Sequence, residues 1–311
     1  MAVYRRSQPI LSDVATMIPL ADAMADGAAA VERVIDSVLA VPEGPEKRVF
    51  EAMRYSSLGA GKRLRPFLAL ASARVCGAPD DQALRVGAAV ELIHCYSLIH
   101  DDLPAMDDDD LRRGKPSCHK AFDDATAILA GDALQAMAFE VLADPKTHPN
   151  GDVRSELVAA LAIASGGHGM VGGQMIDLAA ENTDADVAMI TRIQRLKTGA
   201  LIRFSAESGA IVAQASAVAR QALVRYAHDL GLAFQIVDDL LDATSTAEDL
   251  GKATQKDEAA GKATFVSLLG IDKARERAQL LVGQAIAHLD IFDAKAAHLR
   301  SIAEFVVERR T

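Results

Sequence analysis

"LIHDDLPAMDDDDLRRGKP", residues 98–116, sets six aspartates among the ten positions from Asp101 to Asp110 and follows them with Arg112, Arg113 and Lys115. Carboxylates this close raise one another's pKa unless a cation neutralises them. The stretch also closes a helix: "AAVELIHCYSLIH" runs apolar before it, and Pro104 stops that helix near Asp102. A carboxylate at a helix C-terminus opposes the macrodipole. Asp101 and Asp102 put two there, in a D-D-x-x-x-x-D pattern ending at Asp107, and Asp108, Asp109 and Asp110 extend the charge. A bound cation resolves the conflict.

A second acidic cluster lies in "LAFQIVDDLLDATS". Asp238 and Asp242 are four apart and share a helix face, with Gln235 one turn upstream of Asp238. Leu232, Ile236, Val237, Leu240 and Leu241 surround them with apolar surface, where an unpaired carboxylate is costly. All these donors are hard oxygens, and no H-E-x-x-H or His/Cys ligand spacing occurs. The chemistry favours Mg²⁺ or Mn²⁺ over zinc. Mg²⁺ keeps waters and is commonly shared between carboxylates and substrate phosphates. The cation therefore points to a phosphate or diphosphate bridged between the two clusters.

Phosphates need positive charge, and this chain must place it deliberately, because its net charge is −10. That acidity, with a pI near 5.3, argues against a nucleic-acid partner held by phosphate contacts and against a polybasic membrane anchor. "GAGKRLRP" offers Lys62, Arg63 and Arg65 on a glycine-flexed turn into a helix, without the spacing of a P-loop. Arg112 and Arg113 follow the first cluster, Lys197 sits in "RLKTGAL" beside Thr198, and Lys252 and Lys262 follow the second cluster. The alternation suits one metal-bound diphosphate and one held by Lys and Arg alone. His94, seven residues before Asp101, lies on nearly the same helix face. Gln174 and Asp177 in "GGQMIDL" are further polar candidates.

The rest of the chain reads as helix. Half of the 311 residues are hydrophobic, Trp is absent, aromatics are 4%, and no stretch sustains two-residue alternation. All ten prolines lie at or before Pro149. Helices are expected over 21–40, 46–57, 65–76, 81–102, 119–143, 152–169, 185–212, 216–243, 263–270, 273–290 and 294–308. Gly166, Gly167, Gly169, Gly172 and Gly173 mark a kink or break. The expectation is a single all-α domain over 1–311 around a central cavity, the first twenty residues forming a loose extension. Cys76, Cys95 and Cys118 suggest free thiols in a reducing cytosol. No secretory signal and no apolar run long enough for a bilayer is seen, so a soluble cytoplasmic protein is expected.

From about Glu51 to Gly270 the chain resembles the trans-isoprenyl diphosphate synthases, specifically the short-chain bacterial farnesyl/geranylgeranyl kind. "GKRLRP", "SLIHDDLPAMDDDDLRRGKP", "LAGDAL", "KTGAL" and "FQIVDDLLD…LGK…GKAT" occur in the family's order. The resemblance implies an isoprenoid-synthase-type helical bundle and Mg²⁺, with more than one ion per site. It implies Asp101, Asp102 and Asp107 as metal ligands on one wall, and Asp238 on the other with Asp239 and Asp242 in support. It implies that Arg112, Lys197, Thr198, Gln235, Lys252 and Lys262 hold an allylic diphosphate, and that Lys62, Arg65, His94 and Arg113 hold isopentenyl diphosphate. Asp101, Asp102, Asp107, Lys197 and Asp238 would then carry the chemistry, and the assembly would be a homodimer, for which the first hundred residues could supply the interface.

For product length, the resemblance implies a floor five residues before the first aspartate, at Tyr96. Helical arithmetic puts Ser97 closer to the face of Asp101, so it does not choose between them. Farnesyl diphosphate (C15) is the expected product and geranylgeranyl diphosphate (C20) the alternative. A class I terpene cyclase would use similar chemistry, but would usually carry one aspartate-rich motif and no isopentenyl-binding cations. A catalytically dead subunit of a heteromeric synthase would be expected to have lost an aspartate motif, and both stand here.

Overall fold

In a computed structural model, residues 18–59, 61–180, 186–244 and 264–308 are described. Helices account for nearly all of the regular structure. In order they are α1 (Leu20–Val38), α2 (Lys47–Ser57), α3 (Leu64–Cys76), α4 (Asp80–Asp101), α5 (Cys118–Ala121), α6 (Asp124–Ala143), α7 (Gly151–Ser165) and α8 (Met170–Ala180). There follow α9 (Val187–Lys197), α10 (Gly199–Val212), α11 (Ala217–Thr244), α12 (Phe265–Leu269), α13 (Ile271–Ala287), a 3₁₀ turn over Asp290–Ala296, and α14 (Ala297–Glu308). A two-residue-per-strand hairpin, β1 (Leu111–Arg112) and β2 (Lys115–Pro116), lies between α4 and α5.

The all-α expectation holds, with local corrections. The helix expected over 119–143 is two, because Asp123 caps α6 by accepting the Thr126 N–H at 2.7 Å. The helix expected over 185–212 breaks at Thr198 (φ −108°, ψ −46°), so Lys197 ends α9 and Gly199 opens α10. The glycine break is real. α7 stops at Ser165, short of the expected 169, and α8 begins at Met170, a helix the sequence reading left out of its series.

α10 is the axis of the fold. From Leu201 to Val212 every residue except Arg203 is buried, Ser205, Glu207 and Ser208 included. Leu201, Phe204, Ile211 and Val212 join a core built on α1, α2, α4, α6 and α7. Ile202, Ala206 and Ala210 join a second core of α3, α11, α13 and α14. Gly209 lets α10 lie close against α3, since a Cβ there would lie 2.3 Å from the Ala73 nitrogen of α3. Tyr226 donates to the Leu299 carbonyl at 2.7 Å and ties α11 to α14. Among the described helices, α6 alone is long and apolar enough to cross a bilayer, and 44% of its apolar window is buried inside the protein.

Candidate active site

The end of α4 folds the first acidic cluster back on itself. The Asp107 N–H donates to the Asp101 carbonyl at 2.8 Å, and the Asp108 N–H to the Leu103 carbonyl at 3.2 Å. The first of these bonds satisfies a carbonyl that the helix leaves open at its C-terminus. Asp108 takes a left-handed φ of 48° to close the turn. Burial pushes the Asp101 carboxyl up to about 6; Lys197 and Arg112 pull against that shift, and Asp107 and Asp102 add to it. Asp102 is buried and held by Arg112, whose Nε donates to Oδ1 at 2.9 Å and to Oδ2 at 3.1 Å. Arg112 also faces Asp109 at 3.5 Å.

The hairpin sets the two arginines apart. Arg113 (φ 54°) and Gly114 (φ 75°) are consecutive left-handed residues between paired Arg112 and Lys115. That is the backbone of a tight two-residue turn whose twist matches the strands. Arg112 reaches back to Asp102. Arg113 instead lies over the loop before α3, where a Cβ on Gly61 would be 3.0 Å from its guanidinium carbon. Tyr55 fixes the hairpin by donating to the Pro116 carbonyl at 2.7 Å.

Lys62, Arg65, His94 and Arg113 line one cavity of about 350 Å³, together with Glu91 and the apolar side chains of Met24, Phe234, Phe305 and Val306. Lys62 lies 5.9 Å from the Phe305 ring centroid. Burial works against the Arg65 charge, while Glu91 and Asp238 support it. Burial, then Arg65, Arg113, Arg63 and Arg112, hold His94 well below the usual imidazole range. The ring is therefore neutral, and the described lining around it carries Lys62, Arg63, Arg65 and Arg113 beside one carboxylate, Glu91. Such a chamber is built for an anion.

On the facing side, Lys197 Nζ pairs with Asp177 Oδ2 of α8 at 2.7 Å. Gly173 makes this contact possible: a Cβ there would lie 2.2 Å from the Lys197 nitrogen. Gln174 is half-buried on the same helix, and Thr198 sits at the α9–α10 joint. Gln235 Nε2 donates to Asp238 Oδ2 at 3.2 Å, and Asp242 is half-buried one turn further along α11. Asp239 serves the fold: its Oδ2 accepts from the Phe265 N–H at 3.0 Å and from Gln194 Nε2 at 3.3 Å, joining α11 to α12 and α9.

The structure thus joins Asp101 electrostatically to Lys197 and Asp107, and Asp238 to Arg65. Lys252 and Lys262 lie outside the described residues, as do the first seventeen. Tyr96 is buried in the core with its ring edge-on to His100 at 5.8 Å and Gln135 of α6 as a polar neighbour. Ser97 is half-buried and donates to the His94 carbonyl at 2.9 Å. Sequence reasoning missed the partners of Arg63, whose guanidinium pairs with Glu91 at 2.6 Å and Glu32 at 3.0 Å. It also missed the approach of His119 to Asp108 and Asp110, whose ligand atoms lie within 4.8 Å of one another. Neither set has a sequence spacing that announces it.

The polyprenyl synthetase family model matches residues 46–298. A farnesyl diphosphate synthase of Escherichia coli is 45% identical over 266 residues, covering 84% of this chain and 89% of that protein. A geranylgeranyl diphosphate synthase of Cyanophora paradoxa is 43% identical over 270 residues, covering 86% and 90%. A crystal structure of an FPP/GFPP synthase from Zymomonas mobilis superposes with a TM-score of 0.85 at 54% identity, covering 93% of this chain and 98% of that one. The acidic helix end, the arginine-ringed cavity and the all-helical frame agree with these matches, and the chain belongs to the polyprenyl synthetase family, as a trans-prenyltransferase.

Proposed function

We propose that the chain condenses isopentenyl diphosphate with dimethylallyl or geranyl diphosphate, head to tail, and releases farnesyl diphosphate. The observation that carries this reading is the pairing of two differently built anion sites. One is the metal-free chamber of Lys62, Arg65, His94 and Arg113. The other is an acidic wall at Asp101 and Asp107 with Lys197 and Arg112 within electrostatic reach.

The donor set fits Mg²⁺, one or more ions. The donors are carboxylate oxygens, and burial and crowding leave Asp101 short of positive charge. Asp101, Asp102, Asp107, Asp238 and Asp242 would hold it. When bound, it supplies charge that stabilises the departing diphosphate. Lys197, Arg112, Thr198 and Gln235 would hold the allylic diphosphate, with Lys252 and Lys262 from the segment that follows. Lys197 and Arg112 would meet the negative charge that develops as the C–O bond ionises. Neutral His94 would donate one hydrogen bond to the second diphosphate, while Arg65, Arg113 and Lys62 supply charge. Holding isopentenyl diphosphate there presents its double bond to the allylic cation. The double bond is the nucleophile, and the proton lost afterwards goes to the released diphosphate, so neither a side-chain nucleophile nor a side-chain base is required.

For product length we propose a floor at Tyr96, because it is the bulky side chain one and a half turns below Asp101 and it is packed into the core. The active unit is proposed to be a homodimer, supported by Ile128 and Leu129, which are 45% and 59% exposed on apolar α6. Three free cysteines suit the cytoplasm. The test is a product assay with purified protein, Mg²⁺, labelled isopentenyl diphosphate and dimethylallyl diphosphate, followed by sizing of the dephosphorylated prenols. A dominant C15 alcohol is expected. A C20 alcohol would keep the reaction and move the floor, and absence of any prenol would overturn the synthase reading.

A further inference from the structure

"GKRLRP" brings three cations to one turn, and the structure treats them differently. Lys62 and Arg65 line the 350 Å³ cavity with His94 and Arg113. Arg63 borders the same cavity, but its side chain is 1% exposed and its bonds go to the protein. Nη1 donates to Glu91 Oε1 at 2.6 Å; Nη2 donates to Glu32 Oε1 at 3.0 Å and to the Ser57 carbonyl at 2.6 Å. Resting on the assignment of that cavity to isopentenyl diphosphate, we propose that Arg63 is a positioning residue. It shapes the chamber and fixes its substrate-facing cations without binding the diphosphate itself.

Three observations carry this. First, Arg63 has φ 49° and ψ 39°, a left-handed conformation that a residue with a Cβ seldom adopts. It does so at the N-cap of α3, where the chain must turn sharply between Lys62 and Arg65, and its carbonyl accepts the Phe67 N–H at 3.0 Å to start the helix. Something must hold the backbone there, and the buried guanidinium does.

Second, the three partners belong to three elements. Glu32 is on α1, Ser57 ends α2, and Glu91 is on α4 one turn before His94. One planar fork therefore locks α1, α2 and α4 around the start of α3, so that the turn carrying Lys62 and Arg65 has a fixed place relative to His94. A guanidinium can make such divergent bonds in one plane, whereas an ammonium cannot.

Third, charge is balanced locally. Glu91 is 2% exposed and pairs with Arg63. Arg63 is thus paired inside the protein, whereas Lys62, Arg65 and Arg113 line the chamber with His94. A buried ion pair of this kind contributes geometry more than stability.

The test uses steady-state kinetics of the full chain, with isopentenyl diphosphate and dimethylallyl diphosphate varied separately, and calorimetric binding of isopentenyl diphosphate. Arg63→Lys keeps the charge and loses the fork. It should raise KM for isopentenyl diphosphate by about tenfold or more, as displaced binding groups do, while KM for dimethylallyl diphosphate stays within about twofold. Glu91→Gln should shift the same constant in the same direction, because it acts through Arg63. The double variant Arg63→Met/Glu91→Leu replaces the pair by apolar side chains that keep the core filled. It should show the same selective rise with a melting temperature near that of the parent.

Equal rises in both KM values, or losses that track melting temperature alone, would overturn the proposal in favour of a structural role. A rise in Arg63→Lys with none in Glu91→Gln would make Arg63 a direct ligand and also overturn it. If the parent chain binds isopentenyl diphosphate normally but Lys62→Ala leaves that binding intact, the assignment of the cavity fails rather than the role of Arg63.

Discussion

At Asp101, burial leads in pushing the carboxyl up to about 6, and Lys197 leads the groups that oppose it. The folded pKa lies above the unfolded value of about 3.9, so the fold disfavours the charged form. The resulting destabilisation is complete above pH 6 and fades as pH falls toward 4. Asp101→Asn removes it. In metal-free buffer at pH 7.5 the variant should melt roughly 2 °C higher than the parent, about 1 kcal/mol after allowing for partial solvent access. The gap should narrow as pH drops below 6. Mg²⁺ should raise the melting temperature of the parent and not of the variant, while turnover of the variant falls by orders of magnitude. Scanning fluorimetry against pH with and without Mg²⁺ checks all three. Tyr96→Ala opens the core one and a half turns below Asp101, and its prenols, sized by chromatography, should be longer than C15. An unchanged product would place the floor on another residue. At this scale the acidic clusters were legible as candidates, because clustered like charge on an apolar helix has few uses, and Lys62, Arg65, His94 and Arg113, grouped by the family resemblance, do line one cavity. The role of Asp239 was not legible, since its partners Gln194 and Phe265 are distant in sequence and only the folded chain shows that it caps α12.

Among the elements, the α8–α9 contact decides where Lys197 points. Gly173 and the Lys197 backbone approach so closely that a methyl group would fall 2.2 Å from its nitrogen. Gly173→Ala must push the helices apart, which costs about 1–3 kcal/mol by overpacking and separates Lys197 from Asp177. The expected result is a kcat lowered at least about tenfold by misplacement of the cation, with helical content by circular dichroism unchanged. Activity within twofold of the parent would show that the joint at Thr198 absorbs the shift. Helix periodicity found most elements, yet it ran through two breaks. Asp123 interrupts an alanine-rich pattern through one capping bond to Thr126, and Thr198 interrupts another through a single deviant φ. Apolar spacing continues across both, so periodicity alone passes over them. The hairpin escaped because two residues per strand are too few to alternate, and "RRGK" reads first as charge.

For the molecule as a whole, apolar composition and the absence of alternation made an all-helical body readable, and proline placement let the second half run in long helices. Assembly was less accessible, because the sequence does not say which apolar side chains stay uncovered. With Ile128 and Leu129 exposed on α6, sedimentation should give about twice the 32.9 kDa chain mass. Replacing both with aspartate should shift the protein toward monomer; a parent that sediments as a monomer would remove the dimer from the proposal.

α10 has a consequence for how the chain is made. Its burial between the core that holds α4 and α7 on one side and the core that holds α3 and α11 on the other means that no nascent fragment ending before Gly199 can complete either core. Some 120 residues separate the end of α3 from the start of α10, and ribosomes add about 5–20 residues per second. The greasy face of α3 therefore waits roughly 6–25 s for its cover. Newly made chains should engage holding chaperones during that interval, and release from them should coincide with emergence of the segment that carries Gly209.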